Sequence, residues 1–451
     1  MLRVNLMACG LVLLSLVAVA QECDTDNPRS AADYVKRGEV KSEKGLYDAA
    51  IEDFTQAIRL GPSDVYPFID RAMCWTAKRE YDKAIRDFTE AIRLDPNSEL
   101  AYSTRGSLWS ARGDYDAAIK DLTEAIRLDL KNGVNYRNRA VALMRKGNFD
   151  GAIKDCTEAI RLDPNHAGAF FNRGYAFDNK GSLDAAIKDY TKAIELNPKF
   201  LPAYENRGAA WVKQGNYEAA VKDFTEVIQL NPNRAEAYSG RGAAWYKGAN
   251  NEAAIKDLTE AIRLNPRLAG AYINRGAVWA QKKNYDAAIE DLTEAIQINP
   301  NLADAYANRA RVRGHQNDFK GAVTDFGELI RLDPNSVFAH NSLAWLYATC
   351  PDASCRDGKK AVDLATKCCD LSSWKSWADV DTLAAAYAEA GDWENAVKRQ
   401  EQAIELAPDE KDKQKAREHL ALYTQKKPYR QQPVEVKAAS REATPPGTRK
   451  Q

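Results

Sequence analysis

The groups most able to hold an anion or pass a proton recur at fixed spacing along this chain. Arg37, Arg71, Arg105, Arg139, Arg173, Arg207, Arg241, Arg275 and Arg309 fill one slot of a repeat. Asp53, Asp87, Asp121, Asp155, Asp189, Asp223, Asp257, Asp291 and Asp325 fill another. A catalytic pair has to be special, because one site must tune one group to one task. Nine equal pairs point instead to a guanidinium gripping a carboxylate through two hydrogen bonds. Arg207 and Asp223 are then a structural ion pair that fixes the register of two helices.

Thiols form the second set. Cys350, Cys355, Cys368 and Cys369 cluster near the C-terminal end. In an oxidising compartment Cys350 and Cys355 can close the loop between them as a disulfide. Adjacent Cys368 and Cys369 point to different sides of a helix, so at most one joins that group. Four-thiolate zinc is the sharper alternative, but vicinal ligands poorly suit a tetrahedral centre. Cys74 and Cys156 read as core fillers. The four His, at 166, 315, 340 and 419, share no metal-ligand spacing. No metal and no cofactor are expected. A nucleophile elbow, a phosphate loop and a metalloprotease motif are all missing from the text, so the chain does not read as an enzyme.

The elements that carry these groups follow from self-similarity. Pro62, Pro96, Pro164, Pro198, Pro232, Pro266, Pro300 and Pro334 stand 34 residues apart, or 68 where Leu130 takes the slot. Each copy holds two helical periods. In one copy Tyr204, Gly208 and Trp211 share a face at i, i+4 and i+7, and Ala220, Phe224 and Val227 repeat that spacing. Between the two, Gly215 and Asn216 break the chain, with Asn216 as N-cap of the second helix. Asp114, Asn148, Ser182, Asn250, Asn284 and Asp318 are the equivalent caps. The Asx-Pro step ends the second helix, since Pro disfavours α geometry in the residue before it. Ala220 and its eight equivalents face Gly208 and its equivalents, and small side chains there let helix axes approach closely. One such hairpin cannot bury both faces, so copies must stack.

This pattern resembles the tetratricopeptide-repeat family over about residues 30–408. The resemblance implies an all-α fold, a right-handed superhelical α-solenoid of about eleven stacked helix-turn-helix repeats. It implies a concave groove, lined by the first helices, that takes a peptide or a partner's helix. Asn138, Asn172, Asn206, Asn274 and Asn308 share a first-helix slot that lies on the inner face in the family. They look like the Asn ladder of sugar-transferring repeat proteins, whose amides donate to and accept from an extended peptide backbone. Asp70, Thr104 and Gly240 interrupt it. Neighbouring slots vary between copies, at Ile69, Ser103, Arg137, Phe171, Glu205, Ser239 and Ile273, and at Met73, Val141, Tyr175 and Arg311. Phe171 and Tyr175 are expected as large apolar groups on the open groove face. The expected function is a protein-protein interaction scaffold. The alternative is a self-associating structural solenoid of the cell envelope.

The remaining segments frame the array. Arg3, an apolar run over 6–20 and Ala18-Val19-Ala20 read as an export signal over 1–20, followed by a linker over 21–29. The run is short for a bilayer span. The expected location is periplasmic or extracellular, with no span after cleavage; an uncleaved tether is the alternative. Nine regular repeats occupy 30–335 and two divergent ones 336–408. A capping helix follows over 409–425, with Ala416, Leu420 and Tyr423 on one stripe. Residues 426–451 carry seven basic residues, two acidic ones and four Pro, which predicts a disordered basic tail. With 64 Lys and Arg against 64 Asp and Glu, the chain has no electrostatic footprint for nucleic acid. Trp345, Tyr347, Trp374, Trp377, Tyr387 and Trp393 cluster near the end and read as core between irregular copies.

Overall fold

The computed structural model describes residues 28–433. The expected export signal and most of the linker and tail lie outside the described residues. Among those residues stand 23 α-helices, α1 (Ala31–Glu43) to α23 (Glu410–Thr424), with a single 3-10 turn and no strand. The fold class is an all-α helical-repeat solenoid, built from hairpins in which each odd-numbered helix packs on the even-numbered helix after it.

The hairpins fall into two compact units. Unit 1 holds α1 to α10 (Leu183–Leu196), and unit 2 holds α11 (Leu201–Gln214) to α23. The same local physics builds both. In α12 (Tyr217–Leu230), Ala220 and Val227 are fully buried and Phe224 is nearly so. Its N-cap Asn216 accepts a hydrogen bond from the Ala219 N–H at 3.2 Å, which satisfies one of the helix's orphan donors. Asp114, Asn148, Asn250, Asn284 and Asp318 do the same. Ser182 occupies the cap position, but its hydroxyl makes no such bond. At the far end Asn231 donates its N–H to Val227 O at 2.8 Å. Its side chain accepts from the Asn233 N–H at 3.2 Å. That Asx turn and Pro232 together stop the helix.

Close packing has a measurable basis. A Cβ built on Gly208 would lie 3.0 Å from the Phe224 ring, and one on Gly242 would lie 2.7 Å from Leu258. The large slot of the second helix is filled by Phe54, Phe88, Leu122, Cys156 and Tyr190 in unit 1 and by Phe224, Leu258, Leu292 and Phe326 in unit 2. Each buried ring or Leu there contributes about 1.5–3 kcal/mol of transfer free energy.

The end of unit 2 departs from the regular form. α19 (Val337–Thr349) leads through a 3-10 turn at Ala353–Cys355 into α20 (Gly358–Leu371), then α21 (Trp377–Glu389), α22 (Trp393–Leu406) and α23. Val380, Leu383, Ala384, Ala386 and Tyr423 form a buried core, with Trp345, Tyr347, Trp374, Tyr387 and Trp393 half-buried against it. Of the expected stripe on α23, Ala416 and Tyr423 are buried and Leu420 is half-buried, and His419 joins them at 2% exposure. Part of the segment that composition assigns to the tail is described. Tyr429, Arg430 and Gln431 pack back onto α19, α21 and α23, because a ring, a guanidinium and a backbone N–H each find partners there.

Candidate functional site

The Arg and Asp slots meet across each regular hairpin. Arg207 Nε donates to Asp223 Oδ2 at 2.8 Å and Nη2 donates to Oδ1 at 2.6 Å. The same two-bond fork recurs from Arg37–Asp53 to Arg309–Asp325. A third donor reaches the preceding second helix. Arg71, Arg105, Arg139 and Arg173 in unit 1 donate Nη1 to Thr55, Thr89, Thr123 and Thr157. Arg241, Arg275 and Arg309 in unit 2 donate to Thr225, Thr259 and Thr293. Each guanidinium also sits over the aromatic ring three residues before it, as Arg241 does over Tyr238 at 5.6 Å. In these seven copies one Arg therefore clips three helices, with each of its three nitrogens donating one hydrogen bond and its face over a ring.

The clips are not electrostatically identical. Burial acts to raise the Asp53 carboxyl, but Arg37 and Lys41 together overcome it and hold that group below its usual range. Asp291 has Arg275 as its fork partner, and there burial wins and pushes the carboxyl up. Asp325 receives Arg313 Nη1 at 2.9 Å in addition to Arg309.

The Asn slot behaves differently. In unit 1, Asn138 donates to Ser107 Oγ of the preceding hairpin at 3.1 Å, while Asn172 makes no side-chain hydrogen bond among the described residues. In unit 2, Asn206 and Asn274 likewise make none, and Asn308 donates to Asp304 O of its own helix at 2.9 Å. All five side chains are half-buried. Gly240 interrupts the slot for a steric reason: a Cβ there would lie 2.5 Å from the Phe224 ring of the preceding hairpin. At Asp70, burial raises the carboxyl to about 6, with Glu39 and Asp64 adding to the effect. Burial also raises Glu39, with Glu43 contributing.

Phe171 does not lie open on this face. It is 7% exposed and packs on Tyr190, ring centroids 5.8 Å apart. In other copies of each unit this slot meets the neighbouring first helix. Ile69 and Ser103 are buried there too, with Ser103 Oγ donating to Asn135 Oδ1 at 2.5 Å. Glu205 meets Arg234 of the next hairpin through a two-bond fork at 2.6 and 3.0 Å. Variation at this slot thus tracks contacts between neighbours. The other variable slot is open: Met73 is 40% and Tyr175 37% exposed. The sequence shows both slots as variable, and burial in the folded hairpins separates them.

The cysteines sort by environment. Cys350 caps the C-terminus of α19 and Cys355 ends the 3-10 turn, and both are buried thiols. Burial raises Cys350 to about 11. Cys368 Sγ points to Val337 O at 3.5 Å, whereas Cys369 belongs to the core beside Val380 and Leu383. Among the described residues no three His, Cys, Asp or Glu side chains converge on a common metal position. No helix among them is long and apolar enough to cross a membrane.

Comparison with known proteins agrees with this architecture. Tetratricopeptide-repeat family models match residues 35–99, 104–167, 137–199, 202–234, 269–302 and 381–414. Among solved structures, yeast Tom70 is 16% identical, with a TM-score of 0.44 over 87% of this chain and 95% of its own. YrrB, described as a TPR protein with an unusual peptide-binding site, is 25% identical, with a TM-score of 0.37 over 41% of this chain and 95% of its own. A tetratricopeptide repeat protein from Parabacteroides merdae is 21% identical, with a TM-score of 0.46 over 56% of this chain and 99% of its own. No curated protein matches. The period, the paired helices and the family matches lead to one conclusion: this chain belongs to the tetratricopeptide-repeat family.

Proposed function

We propose that this protein is an interaction scaffold whose first-helix faces hold a partner's peptide or helix through the Asn slot. The observation that carries the reading is the state of three amides. Asn172 in unit 1, and Asn206 and Asn274 in unit 2, are half-buried, yet their side chains make no hydrogen bond among the described residues. An amide held in that position offers both a donor and an acceptor to the alternating groups of a peptide backbone. Exposed Met73 and Tyr175 add apolar contact on the same side of unit 1. The Arg forks do not enter this reading, because each guanidinium is bound to its own Asp through two bonds.

The reading of residues 1–20 as an export signal places the partner outside the cytoplasm. The experiment is capture from envelope extracts with the chain as bait, followed by titration of the captured partner. Asn206→Ala and Asn274→Ala, both in unit 2 and each alone, should weaken binding by about 5-fold or more, which is about 1 kcal/mol for a lost hydrogen bond. Melting temperature should not move. Unchanged affinity in both variants would remove the Asn slot from the mechanism. Concentration-dependent sedimentation of the chain with nothing captured would favour self-association instead.

A further inference from the structure

The segment after α23 makes contacts that no regular hairpin makes. Lys426 adopts a left-handed backbone (φ 58°) and donates its N–H to Tyr423 O at 2.9 Å. Lys427 donates to Leu422 O at 2.9 Å. These two bonds close the helix in a Schellman turn, and Pro428 prevents it from resuming. The chain is thereby aimed back across the first helices of the last hairpins, α19 and α21.

Three consecutive residues then dock. The Tyr429 ring lies 4.3 Å from the His419 ring and 5.6 Å from Trp345, centroid to centroid. Arg430 Nη2 meets Glu389 Oε2 at 2.5 Å, and its Nη1 donates to Ala348 O at 3.1 Å. Gln431 donates its N–H to Thr349 O at 2.9 Å. Ala348 and Thr349 are the last two residues of α19, so their carbonyls lack intrahelical partners and sit at the negative end of the helix dipole. Glu389 is held in place from the other side by Arg356 Nε at 3.2 Å. Next to Trp345 a cleft of about 220 Å³ continues from Gln431 toward Asn341, Ser342 and Arg311.

Every one of these contacts is of a kind that a separate peptide makes with a receptor: a ring in an aromatic cradle, a guanidinium on a pre-positioned carboxylate, a backbone N–H on an orphan carbonyl. We propose that the surface formed by Trp345, His419, Glu389 and the C-terminal carbonyls of α19 is a recognition site for an aromatic–arginine peptide, and that the chain's own Tyr429 and Arg430 occupy it in cis. None of the Asn-slot residues takes part, so the site stands apart from the function proposed above.

The test uses a fluorescent synthetic peptide of residues 427–433 and the full chain. A tethered segment competes at an effective concentration in the millimolar range. The full chain carrying Tyr429→Ala and Arg430→Ala should bind the peptide saturably by fluorescence anisotropy, and wild type should bind it at least about tenfold more weakly. Adding Glu389→Gln should abolish binding, whereas Asn172→Ala and Asn274→Ala should leave it unchanged. Absence of binding to a double variant with wild-type helicity overturns the proposal, and so does equal binding to both chains. Should the double variant unfold, a photo-reactive benzoylphenylalanine at the Tyr429 position of the peptide is offered to wild type at millimolar concentration. Cross-links on α19 or α23 support the site, and cross-links elsewhere alone overturn it.

Discussion

Asp70 occupies the slot that holds Asn in five other copies, and its environment penalises the charge it carries. The Asp70 carboxyl titrates at about 6 in the folded chain against an ordinary value of 3.8, burial being the main cause and Glu39 the next. A group whose folded pKa is raised costs stability above that pKa. The cost fades as pH falls from about 6 toward 3.8 and is absent below. The difference between the two values corresponds to roughly 3 kcal/mol at neutral pH. Asp70→Asn keeps the shape, removes the charge and should recover about 2–3 kcal/mol at pH 7.5. Repeat arrays unfold in segments, so a global midpoint dilutes a local effect. Hydrogen–deuterium exchange of peptides from α1, α2 (Tyr47–Leu60) and α3 (Tyr66–Ala77) is the direct assay. Protection there should rise about 30-fold or more at pH 7.5 and match wild type near pH 4, after correction for intrinsic exchange. Equal protection at pH 7.5 would refute the argument. A gain that persists unchanged at pH 4 would also refute it, since the amide and not the lost charge would then be responsible.

Tyr190 is fully buried, and its hydroxyl has no hydrogen-bond partner among the described residues. Tyr190→Phe should therefore stabilise unit 1 by about 1 kcal/mol in thermal denaturation, and a loss of stability would show that the hydroxyl is satisfied. Ala249 and Lys283 sit at φ 63° and 62° in a turn where Gly215 has φ 85°. Replacing either with Gly should raise stability by about 0.5–1 kcal/mol, read as a shift in denaturation midpoint. In the clip of Arg241 and Asp257, the carboxylate is 7% and the guanidinium side chain 19% exposed. Arg241→Ala strands a buried charge and should cost about 3–5 kcal/mol, clearly more than Asp257→Ala, with coupling above about 1 kcal/mol in a double-mutant cycle.

The repeat made the helices and their pairing legible. A period of 34 with small residues at two positions leaves little other geometry, and the caps at Asn216 and Asp114 follow from local chemistry alone. What the sequence hid was set by angles between elements. Phe171 and Tyr175 are four residues apart on one helix and both read as groove residues. The packing of α9 (Ala167–Asn179) on α10 within one hairpin buries Phe171 against Tyr190 and leaves Tyr175 at the surface. Gly240 reads as a gap in the Asn slot, but the ring of Phe224 takes that space. The docking of Tyr429 was invisible because Trp345 is distant in sequence, in a copy that breaks the period, and His419 lies on the capping helix outside the repeat. Composition marks such a segment as tail whenever its few contacts are specific instead of periodic.

The end of the array shows why the period had to break. A regular hairpin presents an apolar face to its neighbour, and that face accepts any further copy equally well. In the last hairpin the Arg–Asp clip gives way to Leu383 and Arg399, and Gln400 stands where other copies carry Phe, Tyr, Leu or Cys. Gln400, fully buried, donates to Asp381 Oδ1 at 2.7 Å and to Ala416 O of α23 at 3.0 Å. His419 Nδ1 lies 2.8 Å from the same Asp381 oxygen. Another regular hairpin docked in place of α23 would leave the Gln400–Asp381 bond but deny Gln400 the Ala416 carbonyl and Asp381 the His419 ring, at a cost of about 1–3 kcal/mol for each polar group left short. The polar network therefore selects α23 over a further repeat. It also sets His419 beneath Tyr429, so the residue that helps terminate the stack forms one wall of the aromatic cradle. Closing the array and building a surface unlike the regular repeats follow from the same substitutions.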